Sequence, residues 1–383
     1  MKILFTGGGT GGHLFPIIAI SRELRRLSGG DKLSLHYIGP KDSLGQVILA
    51  QENFSVHNIV SGKIRRYFSF RNIVDIFFNI PIGCLQSFFL LLFMRPKLVF
   101  SKGGSGSYGV VLCAMILRIP IFLHESDTVP GKSNQLALKF AKKVFISFPK
   151  TTNVDLLKAI LVGNPIEKEL LNGNIQTAKE IFNLTLQKPV ILILGGSQGS
   201  TPINDFILNI LNDLLKDYEV IHICGKKNYQ EVLDQSNVIL SKELQSMNKE
   251  YANLGLEKYY HLKNFLGEVE LKHAYQVANF IVSRSGSGSI FEIAACGKPS
   301  ILIPLPTSAH DHQTKNAYEY AKTGASIVIE QNNLTPHYFL EKIRYLLSNQ
   351  KELEVMKQSA LAFAKPEAAK VIAKEILEYL NIA

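Results

Sequence analysis

The residues Gly7-Gly8-Gly9-Thr10-Gly11-Gly12-His13 follow directly on the apolar run Lys2-Ile3-Leu4-Phe5-Thr6. Five of these seven residues are glycine, more than a turn needs. Without a Cβ the backbone can turn tightly and let a ligand come close. Residues 14–27 then carry apolar side chains at helical spacing (Leu14, Ile17, Ile18, Ile20, Leu24, Leu27), so the chain opens as strand, glycine loop, helix. Unpaired N–H groups and a partial positive charge at such a helix start suit a phosphate. Three more glycine clusters end predicted strands: Gly103-Gly104-Ser105-Gly106-Ser107, Gly195-Gly196-Ser197-Gln198-Gly199 and Arg284-Ser285-Gly286-Ser287-Gly288-Ser289. In open α/β sheets, ligands bind beyond the carboxyl ends of the strands.

Gly7, Gly9 and Gly12 satisfy the dinucleotide spacing G-x-G-x-x-G. That fingerprint also needs an acidic residue at the end of the second strand, to hold a ribose. The second strand, predicted over residues 33–38, ends in Gly39-Pro40, and Asp42 already lies in the next loop. A nicotinamide or flavin cofactor is therefore the weaker reading.

A length of 383 residues predicts two or three domains, and 46% hydrophobic with 19% charged residues is ordinary for globular cores. Cys84, Cys113, Cys224 and Cys296 are far apart, which argues against structural zinc or a disulfide framework and fits a reducing cytoplasm. The start MKILF has no apolar signal-peptide region. A formal charge of +10 calls for an acidic partner. No RRM, KH or zinc-finger pattern is present, so nucleic acid is not expected.

Both halves read as strand–helix repeats. Strands are predicted over 97–101, 119–123 and 144–147, then over 189–194, 220–224, 278–283 and 300–303, with a helix over 204–215. Residues 51–64 read as a connecting unit, Gly163-Asn164-Pro165 as a hinge, and residues 363–380 as a closing helix. The fold class is α/β, with two Rossmann-like domains facing a cleft: residues 1–164, residues 165–358, and a closing segment 359–383 that crosses back to the first domain.

Residues 63–94 stand apart. Arg65, Arg66 and Arg71 precede residues 76–94, which carry no charge and are long enough to span a bilayer. Pro81, Gly83, Asn79 and Gln86 interrupt the run, and the strand after Arg95-Pro96 must rejoin the same sheet. A buried helix pair is one alternative. The favoured reading is a helix lying in the membrane surface, with Phe77, Phe78, Phe88, Phe89 and Phe93 in the apolar phase beside the arginines.

The order of GGTGGHLFP (residues 8–16), Gly103-Gly104, His124-Glu125, Gly163-Asn164-Pro165, GGSQG (195–199), Arg284-Ser285-Gly286 with Glu292, His312-Gln313 and Asn316-Ala317 resembles, end to end, the MurG family of peptidoglycan glycosyltransferases. Those enzymes have the GT-B architecture. The resemblance implies an inverting transfer of GlcNAc from UDP-GlcNAc to the C4 hydroxyl of the muramoyl sugar of lipid I, giving lipid II, with neither cofactor nor metal. Glu292 would accept hydrogen bonds from the ribose hydroxyls and the main chain at Leu266 would read the uracil. Ser197 and Ser287-Gly288-Ser289-Ile290-Phe291 would line the donor, and His312 and Gln313 would meet its sugar. From the first domain, Gly9, Thr10, Gly103, Gly104 and Ser105 would hold the acceptor diphosphate. Thr10, Gly11, Gly12, Asp127 and Glu167 would reach the donor. His13 is the candidate general base, its imidazole having a pKa near the operating pH.

The resemblance also implies an anionic membrane surface and cell-wall synthesis proteins as partners, and a peripheral location on the cytoplasmic face of the bacterial inner membrane. Four positions depart from the family's pattern: Ser105 for a tyrosine, Asp127 for an amide, and Glu167 and Thr201 for arginines. Competing readings are another GT-B UDP-sugar transferase, a nicotinamide-dependent oxidoreductase and a membrane scaffold without enzymatic activity.

Overall fold

The computed structural model describes residues 1–8, 11–29, 33–62, 70–155, 157–196, 198–246 and 255–382. They fall into two compact units, Met1–Glu167 with Lys365–Ala383, and Lys168–Ala364.

Unit 1 holds one parallel sheet of β1 (Lys2–Thr6), β2 (Ser34–Pro40), β3 (Ser55–Ile59), β4 (Leu98–Ser101), β5 (Ile121–Glu125), β6 (Lys143–Ile146) and β7 (Ala159–Leu161), in the order β3-β2-β1-β4-β5-β6-β7. Unit 2 holds β8 (Val190–Leu194), β9 (Glu219–Ile223), β10 (Tyr260–Lys263), β11 (Phe280–Ser283), β12 (Ser300–Leu302) and β13 (Ser326–Val328), in the order β10-β9-β8-β11-β12-β13. Both units are Rossmann-like, as expected. The central strands are apolar throughout because helices cover both faces of a parallel sheet; every residue of β8 is buried. Strand order reverses between β1 and β4 in unit 1, and between β8 and β11 in unit 2. Each unit's two glycine loops leave the two strands that flank this switch point, which is where such sheets bind ligands.

Several elements differ from expectation. β3, β7, β10 and β13 had no long apolar run to mark them: β7 and β13 have three residues each, and β10 is only half-buried. The helix expected over 204–215 is two helices, Thr201–Asn209 and Leu211–Asp217, joined at Ile210. The closing helix begins later than residue 363: helix Gln350–Phe363 ends there, and helix Ala368–Tyr379 starts after Pro366. Proline cannot supply the intrahelical N–H and clashes with the preceding turn, so the break falls at this point. Ala369, Ile372, Ala373, Ile376 and Leu377 form the buried stripe of that last helix and share a core with Ile17, Ile20 and Leu24 of helix Gly11–Ser28.

Residues 70–94 are helical without a gap. Pro81 is accommodated by a π-helical turn, Asp75–Asn79, directly before it. Gln86 and Gly83 of this helix face their own unit. Gln86 Oε1 accepts the Val60 N–H at 2.8 Å, Asn79 donates to a buried Asp75 at 2.7 Å, and a Cβ on Gly83 would lie 2.1 Å from the Val60 carbonyl oxygen. Residues 72–94 are long and apolar enough to cross a membrane, with a mean hydropathy of 2.0, yet only 17% of the 18-residue window is buried. A helix buried in the core is excluded. Phe77 and Phe93 are 69% and 78% exposed, and Phe78 and Phe89 are exposed too. Phe88 is a correction, since it packs on the core with Leu91 and Met94. Arg65 and Arg66 lie outside the described residues.

Candidate active site

In unit 1 the loops after β1 and β4 touch. Gly104 has φ 87° and ψ 169°, a conformation open essentially to glycine alone. A Cβ there would lie 2.9 Å from the Gly8 backbone and 3.0 Å from His13 Nε2, and one on Gly8 would lie 2.9 Å from His13 Nδ1. The His13 ring, in the first turn of helix Gly11–Ser28, therefore lies against both glycine loops. Burial, then the Lys102 cation, lower its pKa to about 4, and Asp127 opposes them. The expectation of an imidazole titrating near the operating pH is corrected: His13 is neutral at physiological pH and a weaker base.

Behind the loops lies a charged cluster. Lys102 follows β4, is 1% exposed, and its Nζ has no hydrogen-bond partner among the described residues. Glu125 ends β5; its Oε1 accepts the Asp127 N–H at 2.9 Å and its Oε2 accepts Asn134 Nδ2 at 2.7 Å. Burial and the neighbouring Asp127 raise the Glu125 pKa, while burial lowers that of Lys102 despite both carboxylates. His124 has a structural task, donating from Nε2 to the Gly163 carbonyl at 2.9 Å and so pinning the Gly163-Asn164-Pro165 turn to β5.

In unit 2 the loop after β8 is braced by close backbone approach: Gly199 has φ 78°, and a Cβ there would lie 2.2 Å from the Cys224 carbonyl oxygen. Arg284, after β11, is buried and donates to the carbonyls of Ile303 (3.1 Å) and Pro304 (3.0 Å), to Ser200 Oγ (2.6 Å) and to Gln331 Oε1 (2.7 Å). It ties the ends of β8, β11 and β12 together.

Helix Ser287–Ala295 makes its first intrahelical bond from Ile290 N–H to Gly286, which leaves the N–H groups of Ser287, Gly288 and Ser289 at the open end. One turn on, Glu292 Oε2 accepts the Tyr275 hydroxyl at 2.9 Å. Burial raises the Glu292 pKa to about 7, against the lowering effect of that bond. Ahead of helix His312–Ala321, His310 and Asp311 both have positive φ, 54° and 57°. Two non-glycine residues held left-handed in succession mark stored strain. His312 Nδ1 donates to the Ala309 carbonyl at 2.6 Å, leaving Nε2 as an acceptor. Gln313 Oε1 accepts the Leu305 N–H at 3.0 Å, which turns its NH2 group outward from that bond.

Residues 3–146 match the glycosyltransferase family 28 N-terminal domain, and residues 190–375 match its C-terminal domain. The chain belongs to glycosyltransferase family 28. Among family relatives, the UDP-N-acetylglucosamine–N-acetylmuramyl-(pentapeptide) pyrophosphoryl-undecaprenol N-acetylglucosamine transferase of Clostridium tetani is 36% identical over 94% of both chains. That of Clostridium kluyveri is 36% identical over 97% of this chain and 99% of its own. The crystal structure of Acinetobacter baumannii MurG superposes with a TM-score of 0.72 at 22% identity, covering 98% of this chain and 99% of that one. A Neisseria meningitidis UDP-GlcNAc 2-epimerase bound to UDP-GlcNAc shares the fold, with a TM-score of 0.68 at 15% identity, over 99% of this chain and all of that one. The resemblance read from the motifs is thus borne out.

For this family 28 chain, unit 1 brings Gly11, Gly12, His13, Gly103, Gly104, Ser105 and Asp127 to the carboxyl ends of its strands, and unit 2 brings Ser287, Gly288, Ser289, Glu292, His312 and Gln313 to its own. Gly9, Thr10 and Ser197 lie outside the described residues. Glu167 is a correction as a donor contact: its Oε2 accepts Arg22 Nη1 at 2.7 Å, and Arg22 also bridges to Glu52. The side chains of Ile290 and Phe291 are in the core, so neither can touch a ligand, and Leu266 is likewise anchored, leaving only its main chain for a base. Sequence reasoning missed Tyr275, Lys102, and Lys226, whose Nζ sits 4.9 Å over the Phe265 ring. Lys102 and Lys226 had one signal in common, a lysine beside glycine at the end of an apolar strand.

Proposed function

We propose that this chain is an inverting glycosyltransferase that moves GlcNAc from UDP-GlcNAc to the C4 hydroxyl of the MurNAc of lipid I, giving lipid II in peptidoglycan synthesis. The observation that carries the reading is the 36% identity, over 94% of both chains, to the Clostridium tetani transferase of that name.

Unit 2 serves the donor. Glu292, when ionised, takes ribose hydroxyls on the acceptor positions that Tyr275 leaves. The open N–H groups of Ser287, Gly288 and Ser289 stabilise the phosphate charge that grows as UDP departs, a role played by fixed dipoles. His312 Nε2 accepts from a sugar hydroxyl and the Gln313 NH2 group donates to one. Unit 1 serves the acceptor, whose diphosphate rests on the glycine loops. That dianion sits beside His13 and raises its proton affinity, offsetting Lys102. His13 takes the C4 hydroxyl proton; the oxygen attacks the anomeric carbon as its bond to the phosphate breaks, inverting the centre and releasing UDP.

The helix over residues 70–94 lies in the surface of the cytoplasmic leaflet, its exposed phenylalanines in the apolar phase, and the sequence supplies Arg65, Arg66 and Arg71 as charge for anionic lipid. Its docking through Gly83 and Gln86 to residue 60 supports a peripheral position over a crossing. The test is UDP release by purified protein given UDP-GlcNAc and a lipid I analogue. Release that depends on the lipid acceptor is expected. Equal release without it would overturn the reading.

A further inference from the structure

Lys226 has no step in the chemistry above, yet its place is closely fixed for an exposed lysine. The Cys224 N–H donates to the Lys263 carbonyl at 3.0 Å, which ties the ends of β9 and β10 together. Lys226 and Phe265 each leave that tie two residues further on. Gly225 packs on the glycine loop after β8: its φ is 92°, and a Cβ there would lie 2.6 Å from the Gly199 Cα. Asn228 donates to the Cys224 carbonyl at 3.0 Å and closes the turn. On the neighbouring strand Leu266 is buried, and the Gly267 N–H donates to Glu270 Oε2 at 3.1 Å to cap helix Glu268–Val277. Between these two braced turns, Lys226 Nζ sits 4.9 Å from the Phe265 ring centre, within cation–π range, and makes no ion pair among the described residues. The ring face engages one side of the ammonium, and the N–H groups turned away remain for an acceptor.

We propose that Lys226 is a base-binding residue: held over Phe265, it donates to a carbonyl oxygen of the donor's uracil. The proposal rests on the transferase reading above. Sheet order supports this end of the nucleotide. In β10-β9-β8-β11, the open N–H groups of residues 287–289 follow β11, while Lys226 and Phe265 lie on the other side of β8. Helix Glu268–Val277 begins directly after Phe265-Leu266 and carries Tyr275 to Glu292. With phosphates after β11 and the ribose at Glu292, the base points toward the ends of β9 and β10. Uracil has two carbonyl acceptors, which suit a side chain that can only donate. The Phe265 ring restrains the lysine before the base arrives, so less rotamer entropy is lost on binding.

The experiment measures binding of UDP, 2-thio-UDP and 4-thio-UDP to wild type and Lys226→Met by titration calorimetry, alongside thermal unfolding. Sulfur is a poorer acceptor than oxygen, so each analogue weakens a bond to the carbonyl it replaces, and the two changes form a double-mutant cycle. Lys226→Met is expected to bind UDP about tenfold more weakly, the loss of a charge-assisted bond, and to unfold with wild type because the lysine is exposed. For one of the two analogues, the sulfur penalty seen in wild type should shrink by about threefold or more in Lys226→Met. Unchanged UDP affinity in Lys226→Met would overturn the proposal. So would a loss of equal size for UDP and both analogues, which would assign the ammonium to the phosphates. The measurement needs no turnover. A wild type that binds no UDP defeats the transferase reading, whereas wild-type UDP binding with either of those two results defeats this one.

Discussion

The Tyr275 hydroxyl donates to Glu292 Oε2 at 2.9 Å, tying helix Glu268–Val277 to helix Ser287–Ala295. Burial lifts the Glu292 carboxyl from 4.5 to about 7, and the tyrosine holds it from going higher. Only the ionised form accepts two ribose hydroxyls, so affinity for UDP-GlcNAc is expected to fall as pH drops through 7. Glu292→Gln should raise the donor KM by about tenfold or more, the loss of a charge-assisted bond. It should also remove the pH dependence. The stability effect has the opposite sense. A carboxyl raised in the folded state favours folding below its unfolded pKa, and that contribution is lost as pH rises toward 7. At pH 8 the Gln variant should therefore unfold no earlier than wild type. Donor KM and unfolding midpoints between about pH 5.5 and 8.5 check both claims.

Arg284 belongs to the motif that signalled a nucleotide site, but its guanidinium is occupied by four protein acceptors. Replacing it with Met leaves those groups without their partner and is expected to cost about 3 kcal/mol of stability. Thermal unfolding should shift down by roughly 6–12 °C for a unit of this size. An unchanged midpoint with a higher donor KM would instead place the guanidinium on the ligand.

Much of the architecture was legible because it follows from local chemistry. The glycine loops after β1 and β8 announce themselves by composition, and apolar runs such as residues 189–194 can only be buried strands. What was hidden depends on contacts distant in sequence. Tyr275 meets Glu292 across a helix pair, with no motif linking them. The lowered pKa of His13 arises from burial and from Lys102, about 90 residues away, and type alone gave the wrong base strength. Glu167 looked like a lost arginine contact until Arg22 was found bound to it. The short strands β7 and β13 form only because a neighbouring strand offers its edge.

Gly104 gives a test of the acceptor floor. Its φ of 87° with ψ of 169° strains any side chain, and the new methyl would press on the Gly8 backbone at 2.9 Å. Gly104→Ala is expected to cost about 1–3 kcal/mol through strain. It should lower kcat/KM for the lipid acceptor at least tenfold by pushing the two loops apart. Retained acceptor kinetics would show that the loops tolerate separation.

The exposed face of the helix over residues 70–94 can be tested by removing its apolar reach. Phe77→Ser with Phe93→Ser deletes two rings that are mostly in solvent, so unfolding without lipid should be unchanged. Each buried phenylalanine contributes about 1.5–3 kcal/mol when fully removed from water, so even partial insertion predicts at least tenfold weaker partitioning to anionic vesicles. Sedimentation with liposomes measures it. Phe88→Ser serves as the contrast, since Phe88 packs on the core and its loss should appear in the unfolding midpoint.

His13 lies against Gly8 and Gly104, with a pKa of about 4, so it is neutral throughout the working range of pH. If it removes the acceptor proton, His13→Ala should lower kcat by about 10² or more while leaving the donor KM near wild type. The acid limb of kcat/KM for the lipid acceptor in wild type, measured at saturating UDP-GlcNAc so that Glu292 drops out of the profile, should then lie well below neutrality. The acid limb of kcat should lie higher, since the bound diphosphate raises the imidazole's proton affinity. An acid limb near neutrality in kcat/KM for the lipid acceptor at saturating UDP-GlcNAc that survives in His13→Ala would assign the proton to Glu125, whose carboxyl is raised by burial and by Asp127.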